Sequence, residues 1–258
     1  MENTVLEKFH QGRQSLGTFS AIGSPLAVES LRYTGLDYVI VDTEHSPAGI
    51  ESAAAQIAAA QGAGLTALAR ANEISRTAVL RLLDVGAQGV VVPCVETVEE
   101  VRELVRYAKF APLGNRGFCP TRDGGYGYDE VSMQGTDVYF AHANQETLLI
   151  PQCETVGCLE HIEEITAMDG VDGIFVGPFD LSIALGHPGE FNAPVVHDAI
   201  LRVQAACKRS GKLSIIFTGS AAASRQRFAE GFDSVTMGMD SLFYVEMYKN
   251  LVADVWGK

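Results

Sequence analysis

Lysine is scarce in this chain, and the places it avoids are informative. The six lysines, Lys8, Lys109, Lys208, Lys212, Lys249 and Lys258, fall in helix-like stretches, at the tail or at the start of a strand. None is placed to form a Schiff base where a strand ends, so carbon–carbon chemistry here would lean on a metal as Lewis acid. Paired cysteine is missing as well. Cys94, Cys119, Cys153, Cys158 and Cys207 are an odd, scattered set of five without CxxC spacing, which excludes a disulfide framework and a zinc cluster and predicts reduced thiols. Positive charge is short: a formal charge of −13 argues against nucleic acid or an anionic membrane as partner. Residues 1–14 are polar and mixed in charge, unlike a signal peptide, and no apolar run approaches a membrane span, which predicts a cytoplasmic protein. There is no GxSxG elbow, Walker loop or HExxH pattern, and Ala21-Ile22-Gly23-Ser24-Pro25 after the first strand is no GxGxxG.

What is present is a regular alternation. With 258 residues and 47% apolar content the chain can bury one large core, and no stretch reads as a linker. Short β-branched runs at 16–21, 38–41, 65–69, 89–93, 147–152, 173–176, 213–217 and 234–237 predict eight strands. Helical spacing marks 27–33, 50–61, 76–85, 98–110, 157–168, 195–210, 220–230 and 241–256, the last with Leu242, Val245, Tyr248, Val252 and Trp256 on one stripe. Eight βα units predict an α/β fold of one domain, the closed parallel (β/α)8 TIM barrel, over an open doubly wound sheet. Only 112–135 breaks the rhythm. A loop of that length is functional or disordered, and its place after the fourth strand predicts a lid over the C-terminal mouth offering Arg116, Arg122 or Tyr126, or else a mobile surface loop.

In such a barrel, side chains leaving the C-terminal strand ends converge. Asp42, Glu44 and His45 follow the second strand, Arg70 closes the third, Gln152 and Glu154 close the fifth, and Asp180 follows the sixth. Alternation along a strand sets Gln152 and Glu154 on one face and Cys153 on the other. Glu154 and Asp180 suit a hard divalent cation with positions left open for water and substrate; the competing assignment is that each caps the helix or turn that follows it. His45 is a candidate general base oriented by Asp42, a third metal ligand, or a structural histidine. Arg70 suits a carboxylate or a developing oxyanion, unless it is spent in a salt bridge to Asp42 or Glu44.

Taken in order, Asp42-Thr43-Glu44-His45-Ser46-Pro47, Leu82-Leu83-Asp84-Val85-Gly86-Ala87-Gln88, Asn115-Arg116-Gly117, Gln152-Cys153-Glu154-Thr155 and Gly170 to Pro178 with Asp180-Leu181-Ser182 resemble the HpcH/HpaI aldolase family. The likeness runs over nearly the whole chain. It implies a class II aldolase that cleaves or forms the carbon–carbon bond of a 4-hydroxy-2-oxo acid, giving pyruvate or a related 2-oxo acid and an aldehyde through a metal-bound enolate. It implies that Glu154 and Asp180 hold Mg²⁺, Mn²⁺ or Co²⁺, that Arg70 and the metal stabilise the enolate, and that His45 paired with Asp42 moves protons. Gln152 and the backbone of Gly177, Pro178 and Phe179 would hold the oxo acid. A domain-swapped C-terminal helix and a hexamer built as a trimer of dimers are further implications. Phe179 stands where many relatives have a small residue, which predicts a narrower or differently shaped pocket beside the metal. Two other readings remain: decarboxylation or carbon–carbon bond formation at the same enolate site, as in the related macrophomate synthase, and a non-catalytic barrel that binds a 2-oxo acid or a phosphorylated metabolite near Thr218-Gly219-Ser220 and Gly238-Met239.

Overall fold

The computed structural model describes residues 3–257 and closes eight parallel strands into a barrel in chain order. The strands are β1 (Ser15–Ser20), β2 (Tyr38–Asp42), β3 (Thr66–Arg70), β4 (Gly89–Val92), β5 (Leu148–Cys153), β6 (Gly173–Val176), β7 (Leu213–Thr218) and β8 (Ser234–Met239). Around them run α1 (Thr4–His10), α2 (Pro25–Ser30), α3 (Ile50–Gly62), α4 (Arg76–Asp84), α5 (Val98–Ala108), α6 (Thr136–Glu146), α7 (Val156–Glu160), α8 (Ile162–Ala167), α9 (Pro178–Ala184), α10 (Pro194–Ser210), α11 (Ala221–Ala229) and α12 (Asp240–Trp256). All eight expected strands are present. The helix expected at 157–168 breaks at His161 into α7 and α8, and α1, α6 and α9 were not foreseen. No helix among the described residues is long and apolar enough to cross a membrane.

The strands are apolar on both faces because each face is covered. On β2, Val39 and Val41 pack outward beneath the helices while Tyr38 and Ile40 fill the barrel; on β3, Ala67 and Ala69 face out and Leu68 in. On β5, Leu149 and Cys153 face out and Leu148 and Ile150 in. This two-residue period aims Asp42, Arg70, Gln152 and Glu154 into the barrel mouth. Tyr38 fits the interior because Gly17 faces it, where a Cβ would come within 2.4 Å of the ring. At the N-terminal end, Val5 and Leu6 of α1 join the inner cluster, and the Asn3 side chain donates to the carbonyls of Gln88 and Glu146.

Residues 112–135 do not overhang the C-terminal mouth. Helix α5 returns the chain to the N-terminal end of the barrel before this segment begins, and there it is bolted down. Arg116 reaches Asp84, the last residue of α4, at 2.8 Å and Asp123 at 2.6 Å, and its guanidinium lies 4.7 Å from the centre of the Phe110 ring. Arg122 donates to Gln61 at the end of α3 (2.5 Å) and to the Val85 carbonyl (3.2 Å). Tyr126 is exposed, and Arg116 and Arg122 take no part in the mouth.

Lys109 is fully buried at this same end, its Nζ donating to the carbonyls of Asn144 (2.9 Å) and Thr147 (2.6 Å) and pairing with Asp172 at 2.7 Å. Burial pulls the Lys109 pKa down and pushes that of Asp172 up, so the pair persists through mutual attraction in a site that favours neither charge alone. Lys109→Met is expected to lower stability by about 3 kcal/mol, because it strands a carboxylate and two carbonyls; a denaturant melt showing no loss would refute this.

Candidate active site

The C-terminal strand ends enclose a cavity of about 150 Å³. Its polar lining is His45, Arg70, Gln152 and Asp180, and its apolar lining includes Phe19, Phe175, Phe179, Phe217 and Met239. Larger hollows lie along α12, about 770 Å³, and at the N-terminal end, about 350 Å³. Neither is lined by Arg70, Gln152 or Asp180.

Arg70 is held in a fork. Asp42 and Arg70 are register partners on β2 and β3, so their side chains emerge side by side. Nε and Nη2 of Arg70 donate to the two Asp42 oxygens at 2.9 and 2.8 Å, and Nη1 lies 3.1 Å from Glu44 Oε2. The guanidinium also stacks over the Phe19 ring at 4.6 Å. The salt bridge to Asp42 or Glu44 is therefore realised with both residues, and Asp42, with no solvent exposure, acts on Arg70.

The expected pairing of Asp42 with His45 does not form. Asp42 Oδ1 also accepts the Glu44 amide at 3.0 Å, and the loop turns away through Ser46 Oγ, which donates to the Asp42 carbonyl. His45 lies beyond the strand with its side chain 66% exposed, and its nearest carboxylate is Glu44, at 3.8 Å. Burial pushes the Glu44 pKa up, against the pull of Arg70 and His45, and the Glu154 and Asp42 charges add to the rise. Glu44 Oε2 makes no aligned hydrogen bond, although Arg70 Nη1 is near.

Neither proposed metal-binding carboxylate is used as a cap. Thr155, one residue after Glu154, caps α7 through Cys158, and α9 starts from Gly177 without a side-chain cap. Glu154 is buried, with Oε1 accepting the Cys94 amide at 2.7 Å and Oε2 accepting the Gln152 side-chain amide. Gln152 Oε1 is buried without a partner. Asp180 is exposed in the first turn of α9 and makes no hydrogen bond or ion pair among the described residues. The donors are hard oxygens, which fits Mg²⁺ or Mn²⁺. No three His, Cys, Asp or Glu side chains among the described residues converge as a ready metal cage, so the protein would supply these two carboxylates and leave the other positions to water and substrate.

Sequence reasoning missed Cys94 and the apolar half of the cavity. Cys94 takes a left-handed backbone (φ 58°), which brings its amide to Glu154; its thiol lies 4.0 Å from Glu44, and burial together with the Glu154 and Glu44 charges pushes its pKa up to about 11. No local pattern signals that conformation. Phe175 and Phe217 were legible, since each sits on the inward parity of a predicted strand.

Residues 15–246 match the family model described as HpcH/HpaI aldolase/citrate lyase. The chain is 31% identical to a 2-keto-3-deoxy-L-rhamnonate aldolase of Klebsiella pneumoniae subsp. pneumoniae, over 92% of its own length and 86% of the relative's. A 5-keto-4-deoxy-D-glucarate aldolase of the same organism is 33% identical, over 87% of this chain and 86% of that one. The crystal structure of an aldolase/citrate lyase family protein from Burkholderia cenocepacia J2315 aligns with a TM-score of 0.89 at 31% identity, covering 98% of this chain and 99% of that one.

Gly177 backs the Glu154 carboxylate so closely that an added Cβ would lie 2.9 Å from Oε2 and 3.2 Å from the Gln152 amide nitrogen. Gly177→Ala is expected to displace Glu154 and weaken Mn²⁺ binding by about 10- to 100-fold, the usual cost of disturbing the groups around a metal ligand. Calorimetric titration giving an unchanged Kd would show that Glu154 does not hold the cation.

Proposed function

The chain belongs to the HpcH/HpaI aldolase/citrate lyase family, and we propose that it is a class II aldolase cleaving or forming the carbon–carbon bond of a 4-hydroxy-2-oxo acid, with pyruvate or a related 2-oxo acid and an aldehyde on the other side. The observation that carries this reading is a pair of uncapped carboxylates, Glu154 and Asp180, at the same barrel mouth as a buried, clamped arginine. Glu154 and Asp180 would hold Mg²⁺, Mn²⁺ or Co²⁺, which when bound polarises the oxo acid carbonyl.

Gln152 steadies Glu154 through one N–H of its amide and offers the second, with the backbone of Gly177, Pro178 and Phe179, to the oxo acid. Arg70 cannot swing away from its two carboxylates, so its charge is already in place where the enolate oxygen becomes negative. As the carbon–carbon bond breaks, its electron pair moves into the oxo acid and the leaving aldehyde's hydroxyl gives up a proton. His45, exposed at the rim, takes that proton through water and returns one to the enolate carbon, with Glu44 as the neighbouring carboxylate. Asp42 is a positioning residue for Arg70.

The assembly belongs to the same reading. α12 leaves Leu242, Tyr244, Val245, Tyr248, Val252 and Trp256 each at least half exposed, more apolar surface than an isolated chain keeps in water. A second copy of the chain covers this helix in a hexamer, and the cytoplasm suits its free thiols.

Two measurements test this. Metal-stripped protein should release no pyruvate from a panel of 4-hydroxy-2-oxo acids, added Mn²⁺ or Mg²⁺ should restore release, and Glu154→Gln should abolish it; activity that survives stripping removes the metal-dependent reading. Native mass spectrometry should find six copies, and the double substitution Tyr248→Glu, Val252→Glu should yield smaller species. A wild-type monomer would remove the assembly.

A further inference from the structure

The cavity is divided in chemistry as well as in space. Its polar groups lie on one side and already have tasks: two Arg70 N–H groups donate to Asp42 with the third nitrogen beside Glu44, the Gln152 amide is shared between Glu154 and the oxo acid, His45 stands exposed at the rim, and Asp180 can only accept. Phe19 and Phe175 are buried, Phe19 beneath the Arg70 guanidinium, so the apolar wall left open is Phe217 and Met239, with the Phe179 ring at the rim. Nothing on that wall offers a hydrogen bond to a hydroxylated chain.

Phe179 is also held in place. Its side chain lies one residue before Asp180, it is 54% exposed, and it meets Phe191 edge to face with ring centres 6.2 Å apart. Phe191 sits in the 186–193 turn, which is fastened by the fully buried Ser182: its Oγ accepts the Gly189 amide at 2.9 Å and its carbonyl accepts the His187 amide at 2.8 Å. Gly189 has φ +76°, and a Cβ there would come within 3.8 Å of the Phe179 ring. An aromatic pair kept half in water on a fastened turn is a prepared contact surface.

We propose that Phe179, braced by Phe191, forms with Phe217 and Met239 an apolar subsite for the aldehyde half of the substrate, so that this chain selects aldehydes bearing an aromatic or other apolar substituent over polyhydroxylated ones. The inference rests on the aldolase reading above and narrows it. Against this wall the hydroxyls of a sugar-derived aldehyde lose their water without gaining partners. An aromatic substituent instead stacks on the rings. The reaction is unchanged: the enolate carbon of pyruvate bonds to the aldehyde carbon, the carbonyl π pair becomes the alkoxide, and that oxygen takes one proton, with no net redox change. An apolar pocket discriminates against an added hydroxyl only modestly, so the expected preference is about 10- to 100-fold.

The test is the ratio of kcat/KM for aldol addition of pyruvate to benzaldehyde and to glyceraldehyde, with exchange of the pyruvate methyl protons in D₂O followed by NMR as an aldehyde-free readout of enolate formation. The wild type should favour benzaldehyde by at least tenfold, Phe179→Ala should bring the ratio close to one, and Phe191→Ala should shift it the same way by less. Because the ratio is taken within each variant, any loss in oxo acid binding cancels. Methyl exchange with glyceraldehyde equal or preferred overturns the subsite and leaves the aldolase standing. A ratio unmoved by Phe179→Ala also overturns it. Neither exchange nor addition in the wild type removes the aldolase reading, and the subsite with it.

Discussion

The mouth of this barrel depends on one guanidinium shared between two carboxylates. Asp42 has no solvent exposure and Glu44 little, so a charge on either without a partner would be costly. Arg70 is that partner, and the three side chains fix one another because β2 and β3 pair Asp42 with Arg70 in register. An alanine at position 70 would therefore strand a buried carboxylate, at a cost of about 3 to 5 kcal/mol. The group proposed to meet the developing negative charge is thus also a structural tie.

Much of this could be read from the sequence, for a definite reason. A barrel strand has a two-residue period and its sides are sorted by hydrophobicity, so a run such as Tyr38 to Asp42 states both its direction and its inward face. From the same rule Gln152 and Glu154 share a face and Cys153 turns from them, as the packing of Cys153 under the helices bears out. Capping was the competing account of Glu154, and Thr155 takes that task.

What escaped the sequence lies where no period operates. The partner of His45 is set by a turn that Ser46 closes onto the Asp42 carbonyl, a contact no spacing announces. Cys94 enters the site through a left-handed backbone. The 112–135 segment lies at the opposite end from the one its place after the fourth strand suggests, because α5 reverses the direction of the chain before the segment starts. A long loop belongs to the end at which the preceding helix stops. α6 went unseen because its eleven residues mix exposed and buried positions without an apolar stripe.

Apart from the tie through Arg70, the polar bolts described above, Lys109 with Asp172, Arg116 with Asp84 and Asp123, and Asn3 across to Gln88 and Glu146, sit at the end of the barrel away from the mouth. That separation divides the burden of natural selection. Rim positions such as Phe179 and Phe191 can drift without loosening the closure of the sheet, so new acceptors can be tried one residue at a time on a scaffold whose persistence is decided elsewhere. A lineage built this way is free to diversify in what it accepts while its architecture stands still.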